Sequence, residues 1–329
     1  MGVQLTTNQT SQYRQHFIKR FLKTLTDDLV LEQFALKEGL PTAQGAKSVS
    51  FFCEPSGSAD DVLTLAEDTL ENSTFSSNDL TEVQVPLQFF GDKQKISNLL
   101  SLTSFFDRIK SSTRKMGLSA AIFCDNLQRN AIVTGQDLSG HKRYGGAQTT
   151  FNGLVGTAAS SAVWTPLNGL TAVTQLKTAK ATRLPGGDFI TVVPPQVSFD
   201  LQQHSKWENA SLYSGSKQLF KGELGRLYGT RYVEATNPFL EDSNNGTEGS
   251  YNGTTGSIYS VITLGEEAFG FVDLQGAASP MKPSMNILNK ADKSDPHNQF
   301  TVVSWAGYAA SKIVAKKRCV VTRVKTTFV

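Results

Sequence analysis

The sequence predicts an α+β chain laid out along one long helix. Three features carry this: a many-turn amphipathic stretch from Thr103 to Val133, short strand and turn signals on both sides of it, and acidic and basic blocks in different parts of the chain. In the long stretch, Phe105, Ile109, Ser112, Met116, Ala120, Phe123, Leu127 and Ala131 recur at gaps of four and three, which puts them on one stripe of a helix. All but Ser112 are apolar. The other face carries Asp107, Arg108, Lys110, Arg114, Lys115, Asp125 and Arg129, so it is predicted to meet water or a partner. Fully helical, the stretch would run about 45 Å, longer than an ordinary globular helix needs.

With 329 residues, 39% hydrophobic and 19% charged, the chain has the composition of an ordered protein with one large core or two smaller ones. A net charge of +3 is too mild to announce a nucleic-acid reader. Cys53, Cys124 and Cys319 are odd in number and widely spaced, and they form no metal-ligand pattern with His16, His141, His204 and His297. They read as reduced thiols of a cytosolic setting. The start has no signal-type apolar run, and no apolar stretch approaches the roughly 18 residues of a membrane span.

Taken in order, Gln12 to Phe34 is a short amphipathic segment, with Phe17, Phe21, Leu22 and Leu25 set among Arg14, Lys19, Arg20 and Lys23. It reads as an arm that packs on something else. Lys47 to Cys53 and Thr81 to Phe89 have strand character. Between them, Glu54 to Glu82 carries eight acids and no lysine or arginine, the pattern of a protruding loop on a two-stranded ribbon. After the long helix, Thr134 to Asn168 reads as loop, with a basic patch His141-Lys142-Arg143 beside Gly145-Gly146. A helix is predicted over Leu170 to Ala181, a strand over Phe189 to Val193, and a helix over Gln196 to His204. Further strands are predicted over Leu227 to Ala235, Ser257 to Leu264, Ala268 to Val272, Met285 to Leu288, Thr301 to Ile313 and Arg318 to Val324.

No pattern in the chain points to catalysis. Gly222, Gly225 and Gly229 precede a strand and not a helix, so they read as tight-turn glycines and not as a dinucleotide loop. No nucleophile elbow, paired apolar-flanked carboxylates or metal spacing accompanies them. The charge distribution says more. Thr301 to Val329 carries Lys312, Lys316, Lys317, Arg318, Arg323 and Lys325 and no acid, the opposite of Glu54 to Glu82. Asp60, Asp61, Glu67, Asp68 and Glu71 of one copy are therefore candidates to meet Lys312, Lys316, Lys317 and Arg318 of the next, steering association and fixing register.

Four blocks in the last 145 or so residues carry a resemblance. They are FITVVPP from Phe189 leading to Asp200-Leu201-Gln202 and Trp207, GELGRLYGTRYVEATN from Gly222, ITLGEEAFGFVDLQG from Ile262, and DPHNQFTVVSWAGYAASKI from Asp295. In order and spacing the chain resembles major capsid proteins of tailed bacteriophages, within them the N4-gp56-like family. The resemblance implies an HK97-like capsid fold in which 1–46 is the N-terminal arm, 47–92 the extended ribbon or E-loop, and 93–168 a peripheral domain with the spine helix. It makes 169–282 the axial domain and 283–329 the return strands of the peripheral domain. It implies an icosahedral, self-assembling head shell of hexamers and pentamers around double-stranded DNA, built in the host cytoplasm, with no catalytic site, cofactor or membrane. Scaffolding, portal and decoration proteins would be further partners, the scaffold being a separate chain because no charged segment precedes the arm. Genome contact would be electrostatic and sequence-independent, through Lys19, Arg20 and Lys23. Some members of the fold join a lysine to an asparagine; the acidic loop has no lysine for that. An encapsulin-like compartment around a cargo enzyme, and a soluble enzyme with an unrecognised site, are the alternatives.

Overall fold

The computed structural model describes residues 30–38, 48–53, 80–104, 107–207, 223–242, 248–252, 257–272, 284–288, 296–297 and 299–328. In chain order the elements are β1 (Leu36–Glu38), β2 (Ser48–Cys53), β3 (Thr81–Pro86), β4 (Gln88–Ser97), α1 (Asn98–Thr103) and α2 (Arg108–Gly135). Next come β5 (Lys142–Tyr144), α3 (Phe151–Gly156), α4 (Pro166–Thr178), β6 (Phe189–Val193), α5 (Pro195–Gln202), β7 (Glu223–Leu227), β8 (Thr230–Glu234) and β9 (Leu240–Glu241). The chain closes with β10 (Ile258–Leu264), β11 (Phe269–Val272), β12 (Ser284–Leu288), β13 (Phe300–Ala309), β14 (Ser311–Ile313) and β15 (Cys319–Val324). Two compact units emerge: Met1–Val49, Pro86–Ile132 and Phe271–Lys312 form the first, and Ser50–Val85, Val133–Gly270 and Ile313–Val329 the second.

In the first unit the long helix is present but starts later than its periodicity predicts. Ser104 is extended, so α1 is a separate helix. α2 then begins under a side-chain cap: Asp107 Oδ1 accepts the backbone N–H groups of Ile109 and Lys110, both at 3.1 Å. Partial burial pulls the Asp107 carboxyl up, but those N–H groups and the Lys110 ammonium hold it below its usual range. Phe105 lies outside the described residues. The rest of the stripe behaves as its spacing requires, with Ser112, Met116 and Ala120 buried and Ile109, Phe123 and Leu127 packed at the edge of the same core. That core is closed by a three-stranded antiparallel sheet ordered β12-β13-β4, whose central strand alternates strictly and turns Val303, Trp305 and Ala309 inward. Gly91 is required on β4, since a Cβ there would stand 2.6 Å from the Trp305 carbonyl oxygen.

The predicted wet face needs correction at Asp125 and Arg129, which are 3% and 4% exposed. The cause is tertiary. A short 3-10 turn over Leu31–Phe34 buries Leu31 and Phe34, and the Val30 and Leu31 N–H groups donate to Asp125 Oδ1 at 3.3 and 3.1 Å.

The second unit is built on a seven-stranded mixed sheet, ordered β5-β15-β10-β6-β8-β7 with β9 paired to β10. Its central strands carry nearly unbroken apolar runs because both faces are covered: every residue of β6 and β15 is buried. The hydroxyl of Thr191, in mid-sheet, lies 3.0 and 3.1 Å from those of Thr230 and Thr263, so three buried polar groups satisfy one another. One strand predicted over Leu227 to Ala235 is in fact the second half of a hairpin. Tyr228 and Gly229, at φ of +54° and +78°, form a two-residue turn between β7 and β8, which matches the tight-turn reading of Gly229. Gly222 lies outside the described residues.

Thr134 to Asn168, predicted as loop, is folded. It holds β5, the Thr150-capped α3 and a 3-10 turn over Ala159–Ser161, and Trp164 is buried in a core with Val193, Val197, Leu201 and Tyr232. Gly169, in the first turn of α4, is forced by this packing: a Cβ would lie 2.2 Å from the Tyr232 hydroxyl. The ribbon strands β2 and β3 pair as a separate two-stranded sheet.

Candidate functional site

The C-terminal basic block is mostly engaged within its own chain. Arg323 is 1% exposed, and its Nε donates to Glu241 Oε2 at 2.6 Å while its Nη1 lies 3.0 Å from Glu248. Glu248 also takes the Lys142 ammonium at 2.8 Å and the Tyr144 hydroxyl at 3.1 Å. Burial pulls the Glu248 carboxyl up, but Lys142 and Arg323 hold it below its ordinary value. The Tyr144 hydroxyl is pushed up to about 12, first by burial and then by the Glu248 charge. Lys325 donates to the carbonyls of Val155 and Thr157 at 2.9 and 2.8 Å, a cation on the open C-terminal end of α3.

Among the candidate partner residues, Arg318 is buried and its Nη1 donates to Glu267 Oε2 at 2.6 Å. Lys316 reaches both oxygens of Asp137 at 2.7 and 2.8 Å, and that contact holds the Asp137 carboxyl below its usual range. The pair is open to water and contributes little stability. Lys317 is exposed, and its backbone carbonyl meets His141 Nε2 at 3.1 Å. Lys312 is exposed in the first unit. Asp60, Asp61, Glu67, Asp68 and Glu71, and the arm residues Lys19, Arg20 and Lys23, lie outside the described residues.

The first unit presents a surface that charge patterning did not single out. α1 buries none of its residues, and Leu99, Leu100 and Leu102 are 71%, 46% and 84% exposed. Three leucines on a six-residue helix with no core beneath them form an apolar patch. Beside it, a cavity of about 260 Å³ is lined by Lys95, Leu100, Arg108 and Lys115 with no acid among the described residues. Phe89, also exposed, stacks against Tyr308 at 4.9 Å. The available signal is NLLSLT itself, in which Leu99 and Leu102 continue the three-and-four spacing of the long stripe on the other side of the extended Ser104.

None of this geometry assembles a nucleophile. The three cysteines are buried, and burial pushes the Cys124 thiol up to about 12 and raises that of Cys319 as well, so neither yields thiolate near neutral pH. No group of three or more metal-binding side chains occurs among the described residues, and no helix there is long and apolar enough to cross a membrane.

No protein-family model matches the sequence, and no curated protein does. Solved structures do. The capsid of Ralstonia phage GP4 is 13% identical with a TM-score of 0.65, over 89% of this chain and 87% of that one. The capsid of cyanophage Pam1 is 13% identical with a TM-score of 0.64 over 93% of each chain. That of cyanophage P-SCSP1u is 13% identical with a TM-score of 0.61, over 91% and 89%. The chain therefore has the mixed helix-and-sheet, HK97-like fold found in phage capsids.

Proposed function

We propose that this chain is the major capsid protein of a tailed bacteriophage, a structural subunit and not an enzyme, that builds the icosahedral head shell around double-stranded DNA. The observation that carries this reading is the length of the likeness: 87–93% of each of the three phage capsid chains is matched by 89–93% of this one. The leucines of α1 are consistent with a subunit whose first unit is completed by a neighbour.

The finer assignment is to the N4-gp56-like family, supported by the four sequence blocks of the C-terminal half. In this reading the arm, ribbon, peripheral and axial regions are those stated from the resemblance. Copies join as hexamers and pentamers in the host cytoplasm, with separate scaffolding, portal and decoration proteins, and genome contact falls to Lys19, Arg20 and Lys23. Asp60, Asp61, Glu67, Asp68 and Glu71 act at the interface between copies. Their partners are drawn from Lys312, Lys316, Lys317 and Arg318; of these, Arg318 and Lys316 also hold Glu267 and Asp137, and Lys317 is exposed.

The test is the content of particles purified from the natural source. This chain should be the most abundant protein and should protect double-stranded DNA from nuclease. Shells filled with a protein cargo and no genome would instead identify an encapsulin-like compartment.

A further inference from the structure

The basic patch His141-Lys142-Arg143 remains outside the account so far, and its three members have separate fates. His141 is buried against the Lys317 carbonyl, and Lys142 is engaged by Glu248. Arg143 is half-buried and has no hydrogen-bond or ion-pair partner among the described residues. It lines a pocket of about 670 Å³ inside the second unit, together with Lys142, Thr149, Ser161, Thr165 and Thr322. No acidic side chain lines it among the described residues. An arginine half out of water with no counter-charge is a costly arrangement for an unliganded protein.

Two further features aim at the same space. Thr322 is the register partner of Arg143 across the parallel β15–β5 pair; it is 2% exposed, and its hydroxyl has no hydrogen-bond partner among the described residues. The thirteen-residue helix α4 begins at this pocket; Pro166 at its first position has no N–H and the Asn168 and Gly169 N–H groups donate to the Thr165 carbonyl, so its contribution is the Leu167 N–H and the positive end of the helix dipole. Gly145 and Gly146 let the loop lie close to the Ala162 and Ser161 carbonyls, where a Cβ would stand at 2.4 and 2.8 Å.

We infer that this pocket is an oxyanion site, in which Arg143 takes a carboxylate or phosphate group through its guanidinium fork at the amide end of α4. The volume admits a side-chain carboxylate or a phosphate with its substituent. The site stands on the second unit alone and does not depend on shell assembly.

The experiment titrates inorganic phosphate, and in a second arm glutarate, into the purified full-length protein at constant ionic strength, with heat or phosphorus NMR as the readout. Saturable binding is expected, about tenfold or more weaker in Arg143→Ala and intermediate in Arg143→Lys, which keeps the charge and loses the fork. Melting of the anion-free variants checks that they fold; if Arg143→Ala does not, Arg143→Lys carries the test. Phosphate binding alone assigns the site to phosphate groups, and binding of glutarate too extends it to carboxylates. No saturable binding of either anion, or binding unchanged in the variants, overturns the site.

Discussion

In the second unit the middle of the sheet is covered on both faces, the hydroxyls of Thr191, Thr230 and Thr263 meet one another, and Arg323 of the C-terminal strand is held by the buried Glu241 carboxylate. The first unit differs: its sheet alternates one residue in and one out, β4 is largely exposed, and α1 buries nothing. A sheet sealed on both faces needs only its own chain. A one-sided sheet beside an unsupported leucine helix leaves apolar surface that another molecule must cover. Substitutions in the second unit should therefore act on folding, whereas those on the outer surface of the first should act on association.

The sharpest break of that contrast is Arg323→Ala. It strands Glu241, which is fully buried, and should cost about 3–5 kcal/mol in urea denaturation of the subunit. A loss below about 1 kcal/mol would mean that the pair is solvated and the second unit is less self-contained than described.

Met116→Ala asks the same of the inward face of α2. It should cost about 2–5 kcal/mol, because the cavity lies between Ile96, Cys124, Val303 and Trp305. A near-neutral result would place the stripe outside the core.

Asp125 gives a pH signature. Burial pushes its carboxyl up to about 6 against two backbone N–H donors and Arg129. Between about 4 and 6 the folded chain binds that proton more tightly than the unfolded one, so this contribution is complete at low pH and is lost as pH rises through 6. The loss is at most about 3 kcal/mol. Asp125→Asn keeps an acceptor for Val30 and Leu31 and should flatten stability over that window. An unchanged slope would assign it to another group.

The smallest effect on folding is expected from Leu99→Ser with Leu102→Ser, within about 0.5 kcal/mol, although the pair should abolish association. Normal assembly by this variant would remove the difference between the two units.

The long helix was legible because its stripe is a property of local spacing. Its polar face departs from the pattern at Asp125 because Val30 and Leu31, some 95 residues away, donate to that carboxylate, and no periodicity encodes such a contact. Thr134 to Asn168 looked like loop because its helix is six residues long and rich in small residues, too short for a 3.6-residue period to register. The charge split along the chain was visible, but which cations face outward was not. Arg318, Arg323 and Lys325 are engaged by Glu267, Glu241 and two backbone carbonyls, partners that only the fold brings near.

The central claim, that this is a self-assembling shell subunit, is tested most directly by sedimentation velocity of the purified protein, expressed alone and with a candidate scaffold, with negative-stain microscopy of the fast fraction. The account predicts hexamers, pentamers or hollow shells in at least one condition. A small monomer under every condition would contradict it and return the leucines of α1 to the surface of an ordinary soluble protein.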